Sequence, residues 1–472
     1  MSKLMIPVAW VKEQLGGENP TKEENFLGVT TDTRSEVAGH LFFALSGPNF
    51  DGNRFAEEAL KKGALGVVVD DPQMAQKLVT YFPDNLVVSV ESTLKSLQLL
   101  AQRWRIKNKF QVLAITGSNG KTTTKTFCAH LVSQKFATNY AKGSFNNHIG
   151  LPLTLLSTSA EAKVVIVEMG MNHAGEITEL CTIAQPDVVV VTMVGSGHIE
   201  NLGSVEAIAK AKEEIYLGAK DNARRIYNLD NPHTREMMNR HAASARFAGK
   251  DDRVLTFSYY DPAAAVHLRD VVSTFDHVEI AGRIGGEPGR VKIPIFGRQN
   301  VYNIMAAACV ALAAGVEPDI IWKSLSGCKT EWGRNQVMKL KGGARVVFDG
   351  YNANPESVLA LLENLSRIKV RGRRYAVLGE MLELGSHSAE MHRSIARQIA
   401  ELKFDFVWFY GSPYKEFEEA YKEIYPSGDF AATESFDESL TMSLKSRLEA
   451  DDLIVLKGSR GMKLERVLAQ LD

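Results

Sequence analysis

Cysteine, net charge and long apolar runs are all scarce in this 472-residue chain, and each scarcity excludes a class of protein. The four cysteines are widely spaced and form no Cys-x-x-Cys pair, so the sequence indicates neither a zinc cluster nor a disulfide framework and fits a reducing cytosol. A formal net charge of -1 provides no general attraction to nucleic acid or to an anionic membrane. Any anionic ligand must therefore be bound locally.

Apolar runs are too short for a membrane protein. No window approaches the roughly 18 apolar residues that cross a bilayer, and Lys12, Glu13 and Gln14 interrupt the N-terminal stretch, so we expect no signal peptide. These features predict a cytoplasmic protein that neither inserts into a membrane nor binds nucleic acid. The chain is too long to fold around a single hydrophobic core, so we expect roughly two to four domains.

Short apolar runs that end in glycine-containing turns recur along the chain. Residues 111–116, 163–170 and 187–195 are rich in valine or isoleucine, which is typical of strands buried on both faces of a parallel sheet. A helix-like stretch at 92–109 and a polar stretch at 326–336 mark two candidate boundaries. The sequence therefore predicts an α/β fold with three domains, at residues 1–107, 108–327 and 328–472.

The stretch 114-AITGSNGKTTTK-125 has the strand, glycine loop and helix order of a phosphate-binding loop. It is shorter than the common G-x-x-x-x-G-K-[ST] pattern, because Ile115 stands where the first glycine is expected. Backbone N–H groups and a helix N-terminus would face the anion, Lys121 would reach the terminal phosphates, and a threonine hydroxyl would bind magnesium. The alternative is an ordinary turn with an exposed lysine.

Three further residues have weaker signals when each is taken alone. Glu168 ends the second apolar run, where it could bind a metal or cap the following turn. His198 follows the third run, and a lone loop histidine is usually structural or solvated. Lys212 lies in residues 205–220, which have the pattern of a solvated amphipathic helix with mixed charge.

Several motifs occur together in the order found in the Mur ligases, the ATP-dependent amide-forming enzymes of peptidoglycan precursor synthesis. They are TGSNGKTTTK, GSFNNHIGLPLTLL, EMGMNH, HIENLGS, AKEEIY, GRQNVYNIMAA and DGYNANPES. Residues 30–64 resemble the N-terminal nucleotide-sugar domain of such a ligase, so the resemblance covers essentially the whole chain.

The resemblance implies an ADP-forming ligase that adds D-alanyl-D-alanine to UDP-N-acetylmuramoyl-tripeptide through an acyl phosphate. It implies a UDP-substrate domain, a central P-loop ATP-binding domain and a C-terminal Rossmann-like domain, in a protein that we expect to be a monomer. It also implies ATP, two Mg²⁺ ions and CO₂, the last bound as a carbamate on Lys212.

The resemblance assigns residues to ATP and to the metals. The residues implied to bind ATP are Gly117, Ser118, Asn119, Gly120, Lys121, Thr122, Thr123, Asn300, Asn303, Arg334 and Asp349. Thr122 would contact the first magnesium, whereas Glu168, His198 and carbamylated Lys212 would hold the second. A carbamate oxygen can bind a cation, which an ammonium group cannot. Lys121, His198 and Lys212 would be catalytic, and His173 is a candidate base.

The resemblance also assigns residues to the peptide substrates. The acceptor and acyl region would be lined by Asn146, Asn147, His173, Tyr351, Asn352 and Asn354. The UDP end would be bound by Asp32, Thr33, Arg34, Ser46 and Gly47. Gly350 replaces a serine expected before YNAN, so no side chain is required at that position. Lys457 and Arg460 fit either a functional role or a plain strand-to-helix turn.

Four alternatives to this interpretation stay open. A Mur ligase that adds a single amino acid is disfavoured by the YNAN segment, and a folate polyglutamating enzyme by the resemblance to the UDP domain. A P-loop ATPase would release phosphate without an amino acceptor. A non-catalytic UDP-sugar binding protein would have no need for Lys121, Glu168, His198 and Lys212 together.

Overall fold

The computed structural model of this chain describes residues 5–18, 25–47, 50–141, 143–245, 249 and 251–472. Residues 1–4 and 48–49, which belong to N-terminal stretches interpreted above, lie outside the described residues. In the ranges that are described, no helix is both long enough and apolar enough to cross a membrane.

The N-terminal part builds a small parallel sheet with the strand order β3-β4-β7-β8. Its elements are β1 (Ile6–Pro7), α1 (Val8–Leu15), β2 (Asn25–Phe26), β3 (Val29–Thr30), β4 (Leu41–Phe43), β5 (Ser46–Gly47), β6 (Phe50–Asp51), α2 (Ala56–Lys61), β7 (Gly66–Val69), α3 (Pro72–Tyr81), β8 (Leu86–Ser89) and α4 (Thr93–Asn108). Local sequence fixes the helix starts. The Asp71 carboxylate caps α3, and the Ser92 hydroxyl accepts a hydrogen bond from the backbone N–H of Lys95 to cap α4.

The central part builds a large sheet with the strand order β10-β11-β9-β12-β13-β14-β15-β16-β17. Its elements are β9 (Gln111–Thr116), α5 (Lys121–Val132), β10 (Thr138–Tyr140), α6 (Gly150–Leu156), β11 (Val164–Glu168), α7 (Glu176–Ala184), β12 (Val188–Val191), α8 (Ile199–Leu202), α9 (Val205–Gly218), β13 (Arg224–Asn228), α10 (Pro232–Ala242), β14 (Val254–Ser258), β15 (Val266–Ser273), β16 (Val278–Ile284), β17 (Glu287–Ile293), α11 (Gln299–Ala314) and α12 (Pro318–Ser324).

This central sheet is parallel from β10 to β15, as the apolar runs predict, but β15, β16 and β17 pair antiparallel. The antiparallel extension is absent from the sequence-based prediction. β16 has buried residues separated by more exposed ones, and β17 is largely exposed, because antiparallel strands can leave one face to water. Continuous apolar runs identify only strands that are covered on both faces.

The C-terminal part builds a third sheet with the strand order β18-β19-β23-β20-β21-β22, parallel except for the β18–β19 pair. Its elements are β18 (Gln336–Lys339), β19 (Arg345–Asp349), α13 (Pro355–Arg367), β20 (Arg374–Gly379), α14 (Ser388–Glu401), β21 (Phe406–Tyr410), α15 (Tyr414–Ile424), β22 (Phe430–Thr433), α16 (Glu438–Arg447), β23 (Leu453–Lys457) and α17 (Glu465–Leu471). The protein thus has the α/β architecture with several parallel sheets that the sequence predicts.

The strand order identifies where a ligand should bind. Strand β9 lies between β11 and β12, and the chain passes from one side of β9 to the other after β11. In open α/β sheets, ligands bind beyond the carboxyl ends of strands at such a switch point. The residues that follow β9, β11 and β12 therefore meet at one edge.

Candidate functional site

The loop after β9 approaches its neighbours so closely that only glycine fits at two positions. Gly120 has a φ of +82°, and a Cβ there would lie 2.2 Å from Asn303 Oδ1. Gly117 has a φ of +151°, and a Cβ there would lie 1.9 Å from Thr192 Oγ1. The short loop is therefore a tightly packed turn at the start of α5, with no room for a side chain at these two positions.

Lys121 is the first residue of α5 and turns back over the loop. Its Nζ donates a hydrogen bond to the carbonyl oxygen of Gly117 at 2.8 Å. Burial lowers the pKa of Lys121, the nearby Glu168 carboxylate opposes that shift, and Arg334 adds to it. The ammonium group thus lies among charged groups from both the central and the C-terminal parts.

Glu168 ends β11 beside this loop and is almost fully buried, with 1% of its surface exposed. Its Oε2 accepts a hydrogen bond from Thr122 Oγ1 at 3.0 Å, and its Oε1 accepts one from Asn146 Nδ2 at 3.0 Å. A buried carboxylate beside a hydroxyl is a set of hard oxygen donors, which suits magnesium. Thr122, predicted for the first magnesium, and Glu168, predicted for the second, therefore lie side by side.

His198 is directed toward the C-terminal part. Its Nδ1 lies 2.8 Å from Glu383 Oε2, and the His198 imidazole holds the pKa of the Glu383 carboxyl below its ordinary value. Across the described ranges, no group of three or more histidine, cysteine, aspartate or glutamate side chains is arranged to hold a metal ion.

Lys212 corrects the interpretation of its helix as solvated. The residue lies in α9 with only 1% of its surface exposed. Burial lowers the pKa of its amine well below the ordinary value, and the neighbouring positive charge of Lys121 lowers it further. The mixed-charge pattern of residues 205–220 does not indicate this burial, because it does not distinguish Lys212 from Lys210, which is exposed on the same helix.

A cavity of about 370 Å³ opens between the central and the C-terminal parts. The predicted site residues that line it are Asn119, Gly120, Thr123, Asn300, Asn303, Arg334, Asp349 and Asn352. Asn303 Nδ2 donates to Asn300 Oδ1 at 3.0 Å, so the two asparagines predicted near adenine are adjacent. Residues predicted for the nucleotide, some of them more than 200 positions apart, thus share one cavity with Asn352, which is predicted for the peptide substrates.

The YNAN segment contacts the central part directly. Tyr351 Oη lies 2.5 Å from Ser144 Oγ, and the Arg334 guanidinium lies 4.1 Å from the centre of the Tyr351 ring. Asn354 and Asn119 exchange two amide hydrogen bonds of 3.0 Å. Asn354 also caps α13, with its Oδ1 accepting a hydrogen bond from the backbone N–H of Ser357.

The remaining residues predicted for the substrates are spread around this centre. Asn147 Oδ1 accepts from the backbone N–H of Gly150 at 2.8 Å, and His173 is exposed. Lys457 is buried, lies 2.8 Å from Asp349 Oδ2 and donates to the carbonyl oxygen of Asn352 at 2.6 Å. Lys457 itself lines the cavity and contacts two of the other residues that line it.

The residues predicted for the UDP end lie in the N-terminal part, and none of them lines the cavity. The Asp32 carboxylate forms an ion pair of 2.8 Å with Arg34, which lowers the pKa of Asp32 to about 2. Thr33 is buried, whereas Ser46 and Gly47 are exposed.

Sequence reasoning missed several acidic and basic residues that the fold brings to the site. The Glu356 carboxylate accepts hydrogen bonds from the backbone N–H of Ser196 at 2.7 Å and from its hydroxyl at 3.0 Å. Lys125, Glu331 and Glu383 also contact site residues. Lys125 lies in the motif TGSNGKTTTK and Glu356 in DGYNANPES, and this position inside a motif is the one sequence signal for a role at the site. No spacing rule distinguishes either residue from a surface residue.

Three family descriptions match consecutive parts of the chain. They are the Mur ligase family, catalytic domain over residues 25–105, the Mur ligase middle domain over 115–311, and the Mur ligase, glutamate ligase domain over 333–460. The matches therefore extend over the four-stranded, nine-stranded and six-stranded sheets.

Similar proteins align with this chain over nearly the whole of both chains. The UDP-N-acetylmuramoyl-tripeptide–D-alanyl-D-alanine ligase of Bacillus subtilis is 35% identical over 463 residues, which cover 96% of this chain and 95% of that protein. The ligase of the same name from Escherichia coli is 30% identical over 475 residues, covering 99% and 98%. A crystal structure of MurF from Acinetobacter baumannii superposes with a TM-score of 0.86 at 26% identity, covering 100% and 99%. The crystal structure of MurF ligase from Thermotoga maritima in complex with ADP superposes with a TM-score of 0.78 at 28% identity, covering 94% of this chain and 96% of that one.

Proposed function

The chain belongs to the Mur ligase family, and on this basis we propose that it joins D-alanyl-D-alanine to UDP-N-acetylmuramoyl-tripeptide while converting ATP to ADP and phosphate. The observation that carries the proposal is the 35% identity, over 96% of the chain, with a ligase named for that reaction. The product would be the peptidoglycan precursor that carries the pentapeptide.

The nucleotide would lie in the cavity between the central and C-terminal parts. Its phosphates would face the loop amides and Lys121 at the N-terminus of α5, where the helix dipole favours negative charge. Asn300 and Asn303 would bind the adenine, while Arg334 and Asp349 would reach the phosphate and ribose from the C-terminal side. The cavity lined by Asn300, Asn303, Arg334 and Asp349 supports this assignment.

The first magnesium would contact Thr122, whose hydroxyl oxygen lies beside the Glu168 carboxylate. When bound, it would offset the negative charge that accumulates on the phosphoryl oxygens. A second ion would be held by Glu168, His198 and a carbamate on Lys212. The lowered pKa of Lys212 supports the carbamate, since only the neutral amine reacts with CO₂.

The chain's own residues would carry the reaction in two stages. Lys121 would orient the terminal phosphate for attack by the tripeptide carboxylate, which forms an acyl phosphate. The acceptor amine, held among Asn146, Asn147 and Tyr351, would then attack the carbonyl and expel phosphate. His173 is exposed and is a candidate to take the proton from the incoming ammonium. Contacts such as Asn119–Asn354 would close the site against water, which otherwise hydrolyses the intermediate.

We further propose that residues 1–107 bind the UDP end, with Asp32, Thr33, Arg34, Ser46 and Gly47 as its contacts. Residues 108–327 would bind ATP and the metals, and residues 328–472 would deliver the amine. The absence of a membrane-crossing helix in the described ranges and the reaction itself fit action in the cytoplasm, and a monomer is the expected state.

The test is a matrix of substrates analysed by product mass. The protein is incubated with ATP and magnesium, each of several UDP-muramoyl peptides, and either single amino acids or D-alanyl-D-alanine. We expect product only from the tripeptide and dipeptide pair, with one ADP released for each amide bond. Product with a single amino acid would indicate a different Mur ligase, and ADP release without any acceptor would indicate an ATPase.

A further inference from the structure

Lys125 is a fully buried cation that the proposed reaction does not use. It lies one helical turn after Lys121 on α5, and none of its surface is exposed. A buried ammonium group is costly unless it is paired. Lys125 Nζ donates to the carbonyl oxygen of Gly143 at 2.5 Å and lies 3.9 Å from Glu168 Oε2 and 3.7 Å from Glu331 Oε1. Three separate segments of the chain therefore meet at one positive charge.

The first two segments belong to the candidate metal site. Glu168 ends β11, and its other oxygen accepts the hydrogen bond from Asn146 Nδ2. Gly143 and Asn146 lie in the same short loop, residues 143–147, before α6. Lys125 and Asn146 therefore fix the loop and the carboxylate against each other, one through the loop backbone and one through a side chain.

The third segment is the connection between the central and C-terminal sheets. Glu331 lies in that connection, between α12 and β18, and its Oε1 also accepts a hydrogen bond from Thr126 Oγ1 at 2.6 Å. Three residues later, Arg334 Nη2 donates to Thr122 Oγ1 at 3.3 Å. The connection is thus attached to helix α5 through Glu331 and through Arg334. Glu331 and Glu168 both lie within ion-pair distance of the Lys125 ammonium group.

We propose that Lys125 is a positioning residue that couples the connection at Glu331 to the Glu168 carboxylate and the 143–147 loop. Its charge holds Glu168 in one orientation only while Glu331 is in place, so the metal-binding carboxylate is set by the position of the C-terminal part. Lys125 acts through Glu168 and touches no reacting atom. The inference rests on the proposed function, because it assigns Lys125 to the magnesium half of that site.

The test compares Lys125→Met, Lys125→Arg, Glu331→Gln and the double variant Lys125→Met/Glu331→Gln. The matched control is Lys135→Met, which removes a lysine just after α5 whose partner, Glu317, lies at the surface. Calorimetric titration of ADP at a series of magnesium concentrations gives the concentration for half-maximal nucleotide binding. Steady-state kinetics on the same preparations give kcat and KM for the UDP-tripeptide.

We expect Lys125→Met to raise the magnesium requirement about tenfold, which is typical when a partner of a metal ligand is removed. Lys125→Arg should have a magnesium requirement close to that of the wild type, and Glu331→Gln should raise the requirement by less than Lys125→Met does. The double variant should need no more magnesium than Lys125→Met. Lys135→Met should match the wild type. A merely structural role would lower the melting temperature of metal-free protein and leave the magnesium requirement unchanged.

Three results would overturn the proposal. A magnesium requirement that falls in Lys125→Met would show that the lysine only repels the metal. Additive effects of the Lys125 and Glu331 changes would show that the two residues are not coupled. If Lys125→Met does not fold, an unchanged magnesium requirement in Glu331→Gln, at a side chain that is 31% exposed, would overturn the proposal. Wild-type protein that binds magnesium and ADP but makes no amide product would contradict the proposed function while leaving this comparison valid.

Discussion

His198 and Glu383 face each other across the boundary between the central and C-terminal parts, with 2.8 Å between Nδ1 and Oε2. Both residues have left-handed backbone conformations, with φ of +71° and +65°. That conformation costs about 1 kcal/mol or more for a residue with a side chain, and such strain is concentrated at functional sites. The backbone N–H of Glu200 also donates to the carbonyl oxygen of Glu383. The pair thus joins the two parts beside the loop that carries Lys121.

Replacing Glu383 with glutamine should weaken this junction. The Glu383 side chain is 51% exposed, so we expect a loss of about twofold to fivefold in kcat/KM, in keeping with the 0.2–1 kcal/mol of a partly exposed ion pair. Small-angle scattering should show a larger fraction of open molecules without ligand. Glu390→Gln, which changes an exposed carboxylate on α14, is the control. Identical scattering and kinetics in both variants would contradict a role for the pair in docking.

Removing the Lys212 side chain should remove activity. Lys212→Ala deletes the amine that would carry the carbamate, so we expect activity to fall at least a hundredfold, in line with the loss of a metal ligand. A small carboxylate such as acetate should partly restore it by occupying the vacated space. Lys210→Ala changes an exposed lysine on the same helix and should behave as wild type. Normal activity in Lys212→Ala would exclude the carbamate.

The buried Lys212 amine should also make stability depend on pH in bicarbonate-free, metal-free buffer. Its pKa is lowered in the folded chain, so the unfolded chain binds the proton more readily, and the free energy of unfolding rises with pH. The rise occupies the window from the lowered pKa up to the ordinary value of 10.5. Relative to Lys212→Met, the wild type should gain up to about 1.4 kcal/mol per pH unit there. Denaturant unfolding between neutral and alkaline pH measures the difference, and a constant difference would refute the prediction.

A methyl group at Gly120 should damage the phosphate loop. Gly120→Ala places a Cβ in a conformation with φ of +82° and 2.2 Å from Asn303 Oδ1, which should destabilise the fold by about 1–3 kcal/mol. ADP binding should weaken as Asn303 is displaced from the cavity. Gly342→Ala has open space around the added methyl group and should leave both thermal unfolding and ADP binding unchanged. Comparable ADP affinity in the two variants would show that the loop tolerates a side chain.

Much of the architecture follows from local sequence. Continuous valine and isoleucine runs specify β9, β11 and β12, because strands covered on both faces need apolar side chains at every position. Asn354 followed by Pro355 specifies the start of α13, since both the cap and the fixed φ act within a few residues. Gly117 and Gly120 likewise specify the tight turn before Lys121, because their backbone conformations and close contacts leave no room for a side chain.

Tertiary structure alone decided which charged side chains would be buried and paired. Lys210 and Lys212 are alike in sequence, but only the second faces the interior, because α9 packs that face against the central sheet. Lys125 and Glu331 are 206 positions apart and meet only once α5 and the connection to the C-terminal part are packed together. Local pattern determines where strands, turns and helices form, whereas the long-range contacts that enclose a charge determine what that charge can do.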